Sequence, residues 1–199
     1  MPVTVVQNFE TAGLLAELPP LLRLAVAYAP GPARPAWTAL VVFDHRLART
    51  VAGASSPLIA QLKLAWWRDR MRTSAAQWPR GEPLLAALTP FDGERAALEG
   101  LVDGWEGLID EAAGEAAFDR LAESRADAVA ALAATIDCPA DPLAIAALAR
   151  RWTAPGAQSA AVRLPRALRP LVVLAYLPRG DEIGLVALLR IVRLGMLGR

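Results

Sequence analysis

Alanine and leucine dominate this chain, and sixteen prolines and fourteen glycines cut it into pieces of helical length. Alanine and leucine are strong helix formers, β-branched residues are scattered, and no Asn-Gly or Asp-Gly turn separates alternating segments. The breaks fall at Pro30-Gly31-Pro32, Ser55-Ser56-Pro57, Pro79-Arg80-Gly81, Pro90-Phe91-Asp92-Gly93, Pro139 to Pro142, Pro155-Gly156 and Pro178-Arg179-Gly180. They predict helices over 11–29, 35–54, 57–77, 82–89, 94–112, 115–136, 142–152, 166–177 and 181–197. No stretch has linker composition and no solenoid period repeats, so the expected fold is all-α, a single helical bundle over 1–199.

Charge and composition remove several function classes. The 21 basic and 20 acidic residues leave a net charge of +1, and all the basic residues but Lys63 are arginine. Such a chain has no global field for a nucleic-acid backbone, and no nucleic-acid partner is expected. One cysteine, Cys138, and one histidine, His45, cannot build a disulfide framework or a Cys/His zinc site within one chain. The first ten residues lack a basic stretch followed by a long apolar one, which argues against a signal peptide and for a cytoplasmic location. The longest run without charge, Thr50 to Leu62, is too short and too broken by Gly53 and Pro57 to span a bilayer. Phosphate-binding P-loops, dinucleotide-binding G-x-G-x-x-G turns and G-x-S-x-G elbows are all missing.

The chemistry-bearing residues gather on few segments. On the helix expected over 57–77, Trp66 continues the Leu58–Leu62 stripe while Trp67 continues the Ile59–Lys63 row. Asp69, one turn beyond Trp66, is expected on the buried side, paired with Arg46 or Arg49 of the preceding helix. The helix over 115–136 predicts a buried stripe of Phe118, Leu121, Ala122, Val129, Leu132 and Ala133. Its other face carries Asp119, Glu123 and Asp127, whose spacing could present oxygens to Mg²⁺. The interleaved Arg120 and Arg125 favour an ordinary solvated face instead. Asp103, Glu106 and Asp110 read as a second solvated face, His45 as a hydrogen-bonded structural histidine, and Cys138 as a bystander thiol before Pro139. The last expected helix, with Ile183, Val186, Ala187, Ile191 and Leu194 on one side, ends in Arg190, Arg193 and Arg199. That end suits core packing and the helix dipole, and secondarily the surface of an inner membrane.

The first half carries a recognisable pattern: Arg34-Pro35, then Ala39-Leu40-Val41-Val42-Phe43-Asp44, Leu47-Ala48-Arg49, Pro57, and Gln61-Leu62-Lys63-Leu64-Ala65-Trp66-Trp67-Arg68-Asp69. It resembles the squalene/phytoene synthase family, in the branch with an R-L-x-W-W-R-[DE] helix that also contains a mitochondrial complex I assembly factor. The resemblance is clear over about 20–77, weaker through Val102-Asp103-Gly104-Trp105-Glu106, and suggestive at Leu164-Pro165-Arg166-Ala167-Leu168-Arg169-Pro170. It implies the all-α isoprenoid-synthase fold, in shortened form.

Enzymes of that family join prenyl diphosphates, using two aspartate-rich helical motifs that hold Mg²⁺ against the leaving diphosphates. Where the first motif belongs, just after Phe43, this chain reads Ala48-Arg49-Thr50-Val51-Ala52, and no stretch of the second half resembles the other motif. The expectation is therefore a catalytically degenerate relative with no metal and no other cofactor. It would act by binding an isoprenoid lipid in the former active-site cavity, or by assembling a membrane enzyme complex with a protein partner. Candidate pocket or structural residues are Phe43, Asp44, Arg46, Arg49, Trp66 and Asp69. The competing reading is a divergent Mg-dependent prenyltransferase whose acids come from Asp44, Asp69 or the Asp119–Glu123–Asp127 row.

Overall fold

Proline opens most of the helices, because its missing N–H falls where no intrahelical partner exists and its fixed φ already suits the helix. In the computed structural model, which describes residues 12–110, 114–154 and 163–178, helix α1 spans Pro20–Ala27 and α2 spans Arg34–Ala52. Helix α3 runs over Pro57–Arg72, α4 over Pro83–Leu88, α5 over Arg95–Glu106 and α6 over Gly114–Thr135. The last two described helices are α7, Pro142–Thr153, and α8, Arg169–Ala175. Side-chain caps reinforce three starts: Ser56 accepts from the Ile59 N–H at 3.4 Å, Glu82 from Leu84 at 3.1 Å and Asp141 from Leu143 at 3.0 Å. Helix α6 ends where Asp137 turns left-handed at φ 50° and the Cys138 N–H reaches back to the Ala133 carbonyl at 2.8 Å.

Four expected helices are broken or shortened, one of them the segment over 166–177, which starts as a 3-10 turn at Arg166–Leu168 and is α-helical only over Arg169–Ala175. The segment expected over 11–29 is interrupted because Pro19 is extended, at φ −55° and ψ 153°, so helical residues 12–16 are separate from α1. The segment over 57–77 stops at Arg72, where Thr73 is extended and a 3-10 turn follows at Ala75–Gln77. The segment over 94–112 ends as a helix at Glu106, and a 3-10 run over Thr89–Glu94 leads into it. The helix expected over 181–197, with Arg190, Arg193 and Arg199, lies outside the described residues.

Helix α2 is the centre of the bundle. Every residue from Ala36 to Asp44 is buried, and α1, α3, α4, α5 and α6 all touch it. Around it the neighbours succeed one another: α3 packs on α5, α5 on α6, α6 on α7, α7 on α8, and α8 on α1. One apolar cluster, anchored by Trp37, Phe43, Leu47, Leu64 and Phe91, joins these helices. Among the described residues there is no strand, and no helix is long and apolar enough to cross a membrane.

Helices α5 and α6 pack tightly at Gly104. A Cβ on Gly104 would lie 2.5 Å from Ser124 Oγ, 3.0 Å from Ser124 Cβ and 3.3 Å from Leu121 Cα. The hydroxyl can rotate away, but the backbone atom cannot. Gly104→Ala is therefore expected to lower stability by about 1–3 kcal/mol despite alanine's better helix propensity, as measured by urea denaturation. On α6 the inward row is Ala117, Leu121, Arg125, Ala128 and Leu132. Phe118, expected on the buried stripe, is 49% exposed, and the small Ala117 takes the inward place one turn before Leu121.

Candidate functional site

A carboxylate inside an apolar helix must find hydrogen bonds, and Asp44 finds all of its partners within the chain. It follows Ala39-Leu40-Val41-Val42-Phe43 on the most buried stretch of α2 and is itself 5% exposed. Arg125 of α6 donates from Nε to Asp44 Oδ1 at 3.0 Å and from Nη2 to Oδ2 at 2.8 Å, the two-pronged geometry that guanidinium and carboxylate favour. Trp105 of α5 donates its indole N–H to the same Oδ1 at 2.9 Å. Arg125 also donates from Nη1 to the Thr153 hydroxyl at 3.2 Å, and that hydroxyl donates to the Ala149 carbonyl at 2.9 Å. The guanidinium is sandwiched by indoles, 5.1 Å from the Trp105 ring and 4.2 Å from the Trp152 ring.

Above this network lies a partly open cavity of about 340 Å³. Its walls are mainly apolar: Leu21 and Leu22 at α1, Ala48 of α2, Trp105, Trp152, and Leu174 and Leu177 at the end of α8. Asp44, Arg125, His45 and Arg151 supply the polar part. Burial, with help from nearby Arg49, lowers the His45 pKa and favours the neutral imidazole, although Asp44 pulls the other way. The guanidinium of Arg151 lies 4.1 Å from the Tyr176 ring.

The other residues singled out in the sequence fall elsewhere. Phe43 is fully buried, edge-on to Trp67 at 5.2 Å between ring centres. Arg46 leaves α2 on another side, where Nε and Nη2 donate to Glu17 at 2.9 and 2.8 Å and Nη1 donates to Glu82 at 2.7 Å. The Arg46 hydrogen bond holds Glu17 below the usual carboxylate range and is the main reason the arginine itself is raised. Arg49 is exposed and lines a separate open cleft with Lys63, Thr50 and Trp67.

Two expectations are overturned on α3. The inward row is Ala60, Leu64, Trp67 and Met71, so Trp66 lies outside at 40% exposure. Asp69 shares that outer face and is exposed, and neither Arg46 nor Arg49 pairs with it. Both rows of α3 are apolar, and the one that faces the core is the one whose Trp67 meets Phe43. Asp103 and Glu106 are not a free acidic face, because both receive hydrogen bonds from Arg68 of α3.

Asp119, Glu123 and Asp127 are exposed on α6, with Glu123 reaching Arg150 only at 4.0 Å. Arg125, interleaved with them in sequence, was expected to share their solvated face and is instead the buried partner of Asp44. Its position four residues after Leu121 and four before Val129 was the available signal. Trp152 and Thr153 carried no comparable signal. Among the described residues no cluster of three acidic, histidine or cysteine side chains could hold a metal ion. Among the described residues that line the cavity Asp44 is the one carboxylate, and both its oxygens are occupied by Arg125 and Trp105, a donor set that does not fit Mg²⁺, which requires several free oxygens.

Compared with known proteins, the family model for squalene/phytoene synthase matches residues 22–152, a span that includes Asp44, Trp105, Arg125 and Trp152. No curated protein and no solved structure matches the chain.

Proposed function

The chain belongs to the squalene/phytoene synthase family, and on that premise we propose that it works by binding, holding an isoprenoid lipid in the cavity above Asp44 and Arg125. The observation that carries this reading is the closed Asp44–Arg125–Trp105 network. In place of carboxylates open to metal ions, the cavity offers a neutralised ion pair under leucine and tryptophan walls. A leaving diphosphate requires concentrated positive charge, usually from metal ions, and the described residues of this wall include no free carboxylate to hold them. An uncharged prenyl chain needs only a dry, apolar lining. At about 340 Å³ the cavity lies at the small end of the range for ligand pockets.

Chain length should then govern affinity, because each buried methylene contributes about 0.8 kcal/mol. Titration of the full chain with geraniol and farnesol, followed by tryptophan fluorescence, is expected to show tighter binding of the longer alcohol, unchanged by Mg²⁺. Ala48→Trp, which places an indole in the cavity, is expected to weaken farnesol by at least about tenfold. Farnesyl diphosphate with Mg²⁺ should yield no condensed hydrocarbon by mass spectrometry. Mg²⁺-dependent binding with such a product would overturn the proposal in favour of a divergent prenyltransferase.

A further inference from the structure

The imidazole of His45 stands on the cavity wall with no hydrogen bond to any of the described residues. Its sequence context predicts the opposite, a structural histidine hydrogen-bonded within the fold. The charged side chains beside it are engaged. Asp44 and Arg125 are closed against each other, with Trp105 and Thr153 completing the network, and Arg151 lies on the Tyr176 ring. His45 leaves α2 one turn before Ala48, so the two share a face of the helix, and both line the cavity. The imidazole is half-buried, and burial together with Arg49 keeps it neutral against the pull of Asp44 and Glu17.

A neutral imidazole carries one N–H donor and one bare nitrogen that accepts. A lipid that fills the cavity excludes the water that would otherwise satisfy them, and a pure hydrocarbon offers nothing in return. A hydroxyl does, and it suits either tautomer, because it can donate to the bare nitrogen or accept from the N–H. A carbonyl or an ether can only accept. A diphosphate would bring more negative charge than the single guanidinium of Arg151 could match on a wall whose other ion pair is already closed. Building on the lipid-binding reading above, we propose that His45 is the head-group residue of this cavity. Its imidazole hydrogen-bonds the terminal hydroxyl of the ligand, which is a prenyl alcohol rather than a hydrocarbon or a diphosphate.

Farnesol and farnesene share a carbon skeleton and differ at the hydroxyl, so the pair separates head from chain. Both are delivered from cyclodextrin to the full-length protein, and binding is followed by tryptophan fluorescence. His45→Leu is expected to weaken farnesol by about three- to tenfold, the size of one net hydrogen bond, and to leave farnesene as tight or tighter. His45→Gln keeps a donor and an acceptor and should restore part of the farnesol affinity. A change in cavity shape would move both ligands together, so the ratio of the two affinities is the readout. If His45→Leu shifts farnesol and farnesene by the same factor, the head-group assignment is wrong while the lipid-binding reading stands. If the parent binds neither ligand, both fall. Farnesyl monophosphate that binds more tightly than farnesol, and equally well to His45→Leu, would move the head to Arg151 and overturn the assignment.

Discussion

Replacing Asp44 by leucine should lower the stability of this protein by about 3–5 kcal/mol, because it strands a buried guanidinium that cannot shed its charge. At the scale of a domain this size, that corresponds to a melting temperature lower by roughly 10 °C. The flanking indoles decide where in the range the loss falls. Trp105 and Trp152 stand 5.1 and 4.2 Å from the Arg125 guanidinium and keep part of its stabilisation when the carboxylate goes, each contributing about 0.5–2 kcal/mol. The loss is therefore expected nearer 3 than 5 kcal/mol. Arg125→Met should cost less than Asp44→Leu, since a stranded carboxyl can take up a proton and a guanidinium cannot lose one. The double variant Asp44→Leu/Arg125→Met removes both charges, and its loss should be smaller than that of Asp44→Leu alone. Chemical denaturation of the four proteins reads the coupling directly. If the two single losses simply add, the pair is not an interacting unit and the closed-network argument for a binding role loses its footing.

The sequence disclosed the parts of the structure that are locally determined. Ser56-Pro57, Glu82-Pro83 and Asp141-Pro142 each combine a capping side chain with a proline at the first helical position, and each opens a helix where expected. Pro19-Pro20 was equally visible, yet the apolar period continued across it and concealed the break. Periodicity also could not choose between two apolar rows of α3: the row ending in Trp66 is as apolar as the row through Leu64 and Trp67, and it is the second that meets Phe43. That choice is tertiary, made by what α2 presents.

The site was half legible for the same reason. A carboxylate directly after five apolar residues announces burial, so Asp44 could be singled out. Its partner lies 81 residues away. Arg125 was obscured because acidic neighbours at four-residue steps gave it an adequate local explanation. Only its coincidence with the Leu121–Val129 stripe marked it as inward-facing.

Trp37→Ala should be the other large loss, about 3–5 kcal/mol, and its consequence should extend to the cavity. Trp37 is wholly buried near the start of α2, and its indole N–H donates at 2.8 Å to the carbonyl of Ala167, 130 residues later. Ala167 belongs to the 3-10 turn Arg166–Leu168 that feeds α8. Leu174 in the last turn of that helix and Leu177 just beyond it form one wall of the cavity. Trp37 thus connects the central helix to a cavity wall without touching the cavity. Two terms separate by substitution. Trp37→Phe keeps most of the buried ring and loses the hydrogen bond, an expected cost of about 1–2 kcal/mol that includes the unsatisfied Ala167 carbonyl. Trp37→Ala adds the cavity term, which is the greater part of its loss. If the Trp37–Ala167 bond sets the position of α8, farnesol should bind more weakly to both variants in the order of their instability, measured well below their melting temperatures. Unchanged affinity in both would mean that packing against α1 and α7 alone holds the wall in place.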